Sequence, residues 1–495
     1  MGSARRGAWA WQCGLSSASG PRRLVATCCL LLIQLVAPPV SCSASSVITR
    51  LPGFHGRLPF YLETGYVGVE EETGVELFYY FVESERSPDV DPLILWLSGG
   101  PRCSGFCGLA YEVGPINFVV ETYNGSLPQL VYNPYAWTQM ASILFLDTPV
   151  GSGFSYARDI KGYDVGDISS SLQVVTFLKK WLNDHPRYRS HNFYVGGSSY
   201  AGKVIPIIMQ YISEEIEQRQ RPLISLKLQG YIVGNPVTGS KFDGNFRPKY
   251  SHGLGIISDQ LYEAAIRNCK GDYVDPKDEL CANVLNVINN LMSEVDFGNV
   301  LEDRCVYNTP KPSNGDSGRR ILVEDHIRLS EPADRPTINC WIRFRCILLA
   351  TYRFYLSYIW MNNNTTRDAL KIRKGTIGEW LRCNKKAFPY TMDVPSSLEY
   401  FLNLTTRGYR LLVISGDHDL EIPFLSTQAW IRSFNLPIVD DWRAWHVDGQ
   451  AAGFTITYAS NLTFATVKGG GHTAIANKPR QALAMGQRWL DNSPL

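Results

Sequence analysis

The sequence predicts an α/β fold: a mostly parallel sheet flanked by helices, with its chemistry at the carboxyl ends of the strands. Three observations predict it. Short apolar runs recur, and each stops at a turn rich in glycine, proline or aspartate. Amphipathic helical patterns separate several of these runs. One stop is the segment Asn192–Gly202, where an apolar run passes through Gly-x-Ser-x-Ala straight into helix-forming sequence.

The runs are taken in order. Pro92–Leu97 ends at Ser98-Gly99-Gly100, and Ile143–Leu146 at Asp147-Thr148-Pro149. Phe193–Val195 ends at the Gly-x-Ser-x-Ala turn, and Leu228–Val233 at Gly234-Asn235-Pro236. Leu411–Ile414 ends at Ser415-Gly416-Asp417, and Leu462–Val467 runs on to Gly469-Gly470-Gly471-His472. Continuous apolar runs of this length read as strands buried on both faces, the habit of parallel sheets. Helices are expected over Ser169–Asn183 and Lys203–Gln218. From about residue 240 to 385 cysteines, prolines and the polar stretch Thr309–Gly318 replace this rhythm, so that segment is expected to be an inserted, disulfide-stapled cap.

With 495 residues the chain can bury a large core. Residues 1–44 read as an export signal: Arg22-Arg23, the apolar run Leu24–Ala37, then Pro38-Pro39-Val40-Ser41-Cys42-Ser43-Ala44 as a small-residue cleavage region. Residues 45–495 form the expected domain. The apolar run is short for a membrane span, and no later run is long enough. Basic and acidic residues nearly balance, 48 against 46, and all four charges in residues 1–44 are arginines. The remainder is slightly acidic, which gives no footing for a nucleic-acid partner or an acidic membrane surface. Eight cysteines lie beyond residue 44 with no Cys-x-x-Cys pair, so disulfides are expected rather than a zinc or redox motif. Glycosylation sequons begin at Asn124, Asn363, Asn364, Asn403 and Asn461, in keeping with the secretory pathway. No metal or nucleotide motif is present, so no cofactor is expected.

A strand-to-helix turn that lifts a serine hydroxyl above a sheet tolerates only small residues two before and two after the nucleophile. Ser199 meets that condition with Gly197 and Ala201, whereas Ser198 would place Tyr200 in the tight position. A serine needs a base and an orienting acid. His472, delivered by a strand and three glycines, is the candidate base; His446, the other histidine beyond the aspartates, follows no such turn. Asp417 and Asp419 could each orient it, and spacing does not choose between them. Asp147 also ends a strand but precedes the nucleophile. An oxyanion needs two donors: the Tyr200 amide is one, and Gly99 or Gly100 supplies the other, since Pro101 has no N–H.

Together these motifs resemble plant serine carboxypeptidase-like proteins of the α/β-hydrolase superfamily. The resemblance spans nearly the whole chain beyond residue 44. It rests on Leu51-Pro52-Gly53-Phe54, on Trp96-Leu97-Ser98-Gly99-Gly100-Pro101-Arg102-Cys103-Ser104 and on Asp147-Thr148-Pro149-Val150-Gly151-Ser152-Gly153-Phe154-Ser155-Tyr156. It rests also on Gly197-Ser198-Ser199-Tyr200-Ala201-Gly202, Gly378-Glu379-Trp380-Leu381-Arg382-Cys383-Asn384, Gly416-Asp417-His418-Asp419 and Gly471-His472. It implies an α/β-hydrolase fold with Ser199, Asp419 and His472 as triad, Gly100 and Tyr200 as oxyanion hole, and Ser98, Gly99 and Ser198 in the substrate pocket. It also implies disulfides Cys103–Cys383, Cys269–Cys281 and Cys305–Cys340, which leaves Cys107 and Cys346 over. Cys346 falls in Trp341–Ala350, which looks like an insertion relative to the family.

Carboxypeptidases of the family place Asn before the Gly-Gly-Pro turn and Glu before the nucleophile, to bind the substrate's terminal carboxylate. Ser98 and Ser198 stand there instead. The resemblance therefore points first to acyl transfer from a glucose ester to a small-molecule acceptor. Carboxypeptidase or esterase hydrolysis is the alternative, and a catalytically weak binding protein a further one. The family suggests a vacuolar address; secretion to the cell exterior is the other. A second departure is Arg102, where the family has glycine. If it takes a positive φ, the strain is roughly 1–2 kcal/mol and would displace the Gly100 amide; binding of an anionic acyl group or acceptor is the functional alternative, and an outward-pointing side chain on an adjusted turn is expected.

Overall fold

The computed structural model describes residues 45–217, 226–303, 350–384 and 387–495. Eleven strands form one sheet: β1 Ser46–Ile48, β2 Leu62–Glu70, β3 Val75–Val82, β4 Leu93–Leu97, β5 Ser142–Leu146, β6 Asn192–Ser198, β7 Lys227–Gly234, β8 Arg410–Gly416, β9 Ile438–Val447, β10 Gln450–Tyr458 and β11 Leu462–Val467. Their order is β1-β2-β3-β5-β4-β6-β7-β8-β11-β10-β9. The six strands expected from sequence are the six central ones, β5-β4-β6-β7-β8-β11, and every pairing among them is parallel. Antiparallel strands flank them on both sides, outside the sequence expectation.

Parallel register brings the strand ends to one rim. Leu97 lies beside Gly197, Ser198 beside Gly234, Gly234 beside Ile414, and Gly416 beside Val467. Each strand end then feeds a turn, and all of these turns but the one after β7 carry a candidate residue.

The period of two divides the core into two layers. Along β4, Ile94 and Trp96 join one buried cluster, and Leu93, Leu95 and Leu97 the other. Helices α1 Asp167–Asp184 and α2 Ala201–Glu217 cover the second face with Phe177, Trp181, Ile205 and Ile212. Pro206 inside α2 removes the donor for Gly202 O, and the hydroxyl of Ser397 donates to that carbonyl instead. Helices α3 Asp259–Cys269 and α4 Glu279–Met292 pack on each other around Ala265, Cys269, Cys281 and Ile288, with Leu420 completing the cluster. This pair belongs to the segment expected as a cap.

One buried ion pair ties the sheet to α1. His185, just beyond α1, lies 2.9 Å from Glu63 of β2 and stacks on Trp181. Tyr79 and Tyr61 donate to the same carboxylate. Burial alone would push the Glu63 pKa up, but its hydrogen bonds hold it below the usual 4.5. Burial would likewise lower His185, but Glu63 raises it above 6.5. The carboxylate's contribution is lost as pH falls through its lowered pKa; the imidazolium's is lost as pH rises through its raised one. Both are complete between 4.5 and 6.5. His185→Gln is therefore expected to lower the melting temperature more in that window than at about pH 8.5, where the wild-type pair has itself weakened. Thermal melts of both proteins at the two pH values check it.

Candidate active site

The elbow is as tight as the sequence suggests. A Cβ on Gly197 would lie 2.3 Å from Leu97 O and 2.8 Å from the Ala201 methyl, so neither position accepts a larger side chain. Ser199 takes a left-handed φ of 59°. It is held there by Ser199 N donating to Gly234 O, and by Gly202 N and Val237 N donating to Ser199 O. A strained φ on a non-glycine residue persists only where its surroundings fix it.

The choice between the serines follows from where their hydroxyls go. Ser199 Oγ lies 2.7 Å from His472 Nε2, and His472 Nδ1 lies 2.8 Å from Asp419 Oδ2. Nδ1–H donates to the carboxylate, which leaves Nε2 free to accept the serine proton. Asp419 is fully buried and takes four donors. Oδ1 accepts from the amides of Glu421 and Ile422, and Oδ2 from His472 and from Asn235 Nδ2 at 2.7 Å. Burial alone would lower the His472 pKa, but the charge and hydrogen bond of Asp419 override it, and the net shift is upward. Gly471 has no room for a Cβ, which would lie 2.2 Å from Gly298 O, and His472 N donates to that same carbonyl.

The other candidates go elsewhere. Asp417 accepts from Gly469 N and pairs with His418, bracing its own loop. Asp147 accepts from Ser104 Oγ, Gly105 N and Phe154 N, and burial pushes its pKa up to about 7. His446 is exposed on β9.

Gly99 and Gly100 lie against the nucleophile. A Cβ on Gly99 would come within 2.5 Å of Ser199 Cβ, and Gly100 has φ 66°. Gly100, Ser98 and Tyr200 line one small cavity together with Pro101, Pro149 and Tyr390. Ser98 Oγ is buried and has no hydrogen-bond partner among the described residues.

Sequence reasoning missed Glu112. This fully enclosed carboxyl accepts from Trp96 Nε1 at 2.7 Å and from Ser198 Oγ at 3.4 Å. Burial raises its pKa, with the two hydrogen bonds opposing. The available signal was its isolation: Glu112 is the only acid between Asp91 and Glu121. Asn235 was noted in a motif but given no role.

Arg102 corrects an expectation. Its φ is positive, 68°, so the turn is not adjusted, and the side chain does not point outward. It is fully buried, donating to the carbonyls of Val150, Tyr163 and Pro389. Burial lowers its pKa to about 10, which leaves it charged. Two disulfides form as the resemblance implied, Cys103–Cys383 and Cys269–Cys281. Cys305, Cys340 and Cys346 lie outside the described residues, as do residues 1–44. Cys107 is free and buried, with its pKa pushed up to about 12. Of the sequons, Asn124, Asn364 and Asn461 are exposed, whereas Asn363 caps a helical turn and Asn403 bonds Gln210. Among the described residues no helix is long and apolar enough to cross a membrane.

A serine, an imidazole and a buried carboxylate, joined in hydrogen-bond sequence at the rim of such a sheet, define a serine-dependent protein of the α/β-hydrolase class. Within that class the chain belongs to the serine carboxypeptidase family, Peptidase S10, whose profile matches residues 52–492. It is 44% identical to Serine carboxypeptidase-like 3 of Arabidopsis thaliana, over 92% of this chain and 94% of the relative. It is 43% identical to Serine carboxypeptidase-like 19 of the same plant, over 91% and 95%. Its fold is similar to that of Kex1, a prohormone-processing carboxypeptidase from Saccharomyces cerevisiae, with TM-score 0.65 and 17% identity over 88% of this chain and 92% of the other.

Proposed function

We propose that the protein transfers acyl groups from a glucose ester to a small-molecule acceptor through an acyl-serine intermediate. Ser199 Oγ attacks the ester carbonyl while His472 Nε2 takes its proton, with Asp419 holding the imidazolium. The amides of Gly100 and Tyr200 receive the oxyanion. Collapse expels the glucose oxygen, which takes the proton from His472. An acceptor hydroxyl or amine then enters, gives its proton to His472 and attacks the acyl-serine. The acylated acceptor leaves and Ser199 regains its hydrogen.

The observation that carries this reading is the pair beside the nucleophile. Ser198 Oγ faces the single carboxyl of Glu112, and the Ser98 hydroxyl is unpartnered nearby. Two hydroxyls and one carboxyl suit a neutral polyhydroxy group. A proton-sharing pair of carboxyls, the arrangement suited to a terminal carboxylate, is not formed by Ser198 and Glu112. The test is a panel of glucose esters with acceptors set against blocked dipeptides. Acylated acceptor is expected to dominate; release of C-terminal amino acids at good rates without transfer overturns the reading.

One observation favours hydrolysis of peptides instead. A protonated carboxyl can donate to a terminal carboxylate, and burial raises the Glu112 pKa from the ordinary 4.5. In either reading it donates only below its raised pKa, so KM is expected to climb as pH rises through that pKa. Glu112→Gln keeps a donor, so it should flatten the KM profile and leave kcat within a few-fold; steady-state kinetics across pH measure both. We further infer passage through the secretory pathway to the vacuole or the cell exterior. The two disulfides and the exposed Asn124, Asn364 and Asn461 sequons support it.

A further inference from the structure

Arg102 is the least expected side chain in the core. Its guanidinium lies over the Phe388 ring, which stacks face to face on Tyr163 at 3.9 Å. All three hydrogen-bond acceptors are backbone carbonyls, and no carboxylate is among its hydrogen-bond partners. A buried cation hydrogen-bonded to carbonyls of several loops adds a tie between them, beside the Tyr163–Phe388 stack and the pairing of Tyr390 with Val165.

The loops it joins border the nucleophile. Arg102 follows Gly100 in a turn closed by Cys103 N donating to Gly100 O. Val150 adjoins Pro149, and Pro389 adjoins Tyr390. Gly100, Pro149 and Tyr390 line the same cavity as Tyr200. The chain of contacts continues, because Tyr390 and Tyr200 both donate to Asp167 Oδ1. Asn384 N donates back to Arg102 O, closing the frame from the cap side.

We propose that Arg102 is a positioning residue for the reaction at Ser199: its guanidinium locks the Gly99–Gly100 turn, Pro149 and Tyr390 into one frame that aims the Gly100 and Tyr200 amides at the reacting oxygen. This rests on the reading of Ser199 as nucleophile and of those amides as oxyanion donors. A glycine at this position would have no side chain with which to make these ties.

The test is the rate at which a fluorophosphonate modifies Ser199, separated into a limiting rate and a half-saturating concentration. The phosphonyl oxygen occupies the oxyanion position, so the limiting rate reads the two amides. Arg102→Met keeps an unbranched apolar stem but removes every donor; Arg102→Lys restores a cation. The methionine variant is expected to lose about tenfold or more in the limiting rate, with the half-saturating concentration within about threefold. The lysine variant should recover part of the loss. A folded methionine variant with the wild-type limiting rate overturns the proposal, even if its melting temperature falls. If that variant does not fold, Phe388→Leu decides, since it loosens the guanidinium without removing its bonds. A smaller fall in limiting rate supports the proposal and no change overturns it. Wild-type protein that the probe does not label at Ser199 overturns the reading of the site itself, and the proposal with it.

Discussion

Ser199→Ala is expected to abolish covalent labelling by a fluorophosphonate and to lower turnover by about 10⁶-fold, the scale seen when a triad loses its nucleophile. The reason is structural as well as chemical. The adjacent Ser198 hydroxyl cannot stand in, because it faces Glu112 and not the imidazole. The left-handed backbone at Ser199 also lets only that residue's side chain rise toward His472. Ser198→Ala should therefore keep labelling, and the pair of variants tells the two serines apart. Mass spectrometry of the labelled protein locates the adduct. An adduct on Ser198, or labelling that survives in Ser199→Ala, would refute the assignment.

Asp419→Asn is expected to lower kcat by about 10⁴-fold, with some loss of stability from the buried donors it leaves unsatisfied. The Asp419 oxygens accept from four donors: two amides, Asn235 Nδ2 and His472 Nδ1. An asparagine cannot satisfy all four. If its oxygen serves the amides of Glu421 and Ile422, its NH₂ faces Asn235 and drives the imidazole to the wrong tautomer. The sign of the pH effect also follows. The Asp419 charge raises the His472 pKa, and catalysis needs the neutral imidazole. Removing the charge lowers that pKa, so the residual activity should hold to lower pH, with its acid limb displaced downward. A pH profile of kcat/KM measures the displacement, and a limb that stays in place would sink the assignment of Asp419.

The parallel strands were legible because strands buried on both faces must be written as continuous apolar runs, and six such runs stop at turns rich in glycine, proline or aspartate. The antiparallel flanks were not read: β3 carries the apolar run Leu77–Val82 but stops at no glycine or proline turn, and β9 carries Asp440, Asp441 and Arg443 along a largely exposed edge. The triad was legible because glycines mark the turns that carry it. Asp417 against Asp419 was not resolvable by spacing, since the two are separated only by the direction each side chain takes from one loop. Glu112 was hidden for a related reason: it reaches the pocket from a helical turn far along the chain from Ser198, and no local pattern announces that meeting. Arg102 misled because arginine is normally solvated, and only the tertiary arrangement of three loops supplies carbonyls to Nη1 and Nη2, Nε staying buried without a partner among the described residues.

Directly after Arg102, Cys103 is bonded to Cys383 across a sequence separation of 280 residues. In the chain-entropy account such a long closure is worth roughly 5 kcal/mol against the open coil. The choice of expression host follows from it. Material made in a bacterial cytosol begins without this bond, and it is then the amide-bearing turn beside Ser199, not the far edge of the sheet, that loses its covalent tie. Periplasmic, yeast or plant secretion supplies the oxidant, and specific activity per mole of soluble protein should separate the two kinds of preparation.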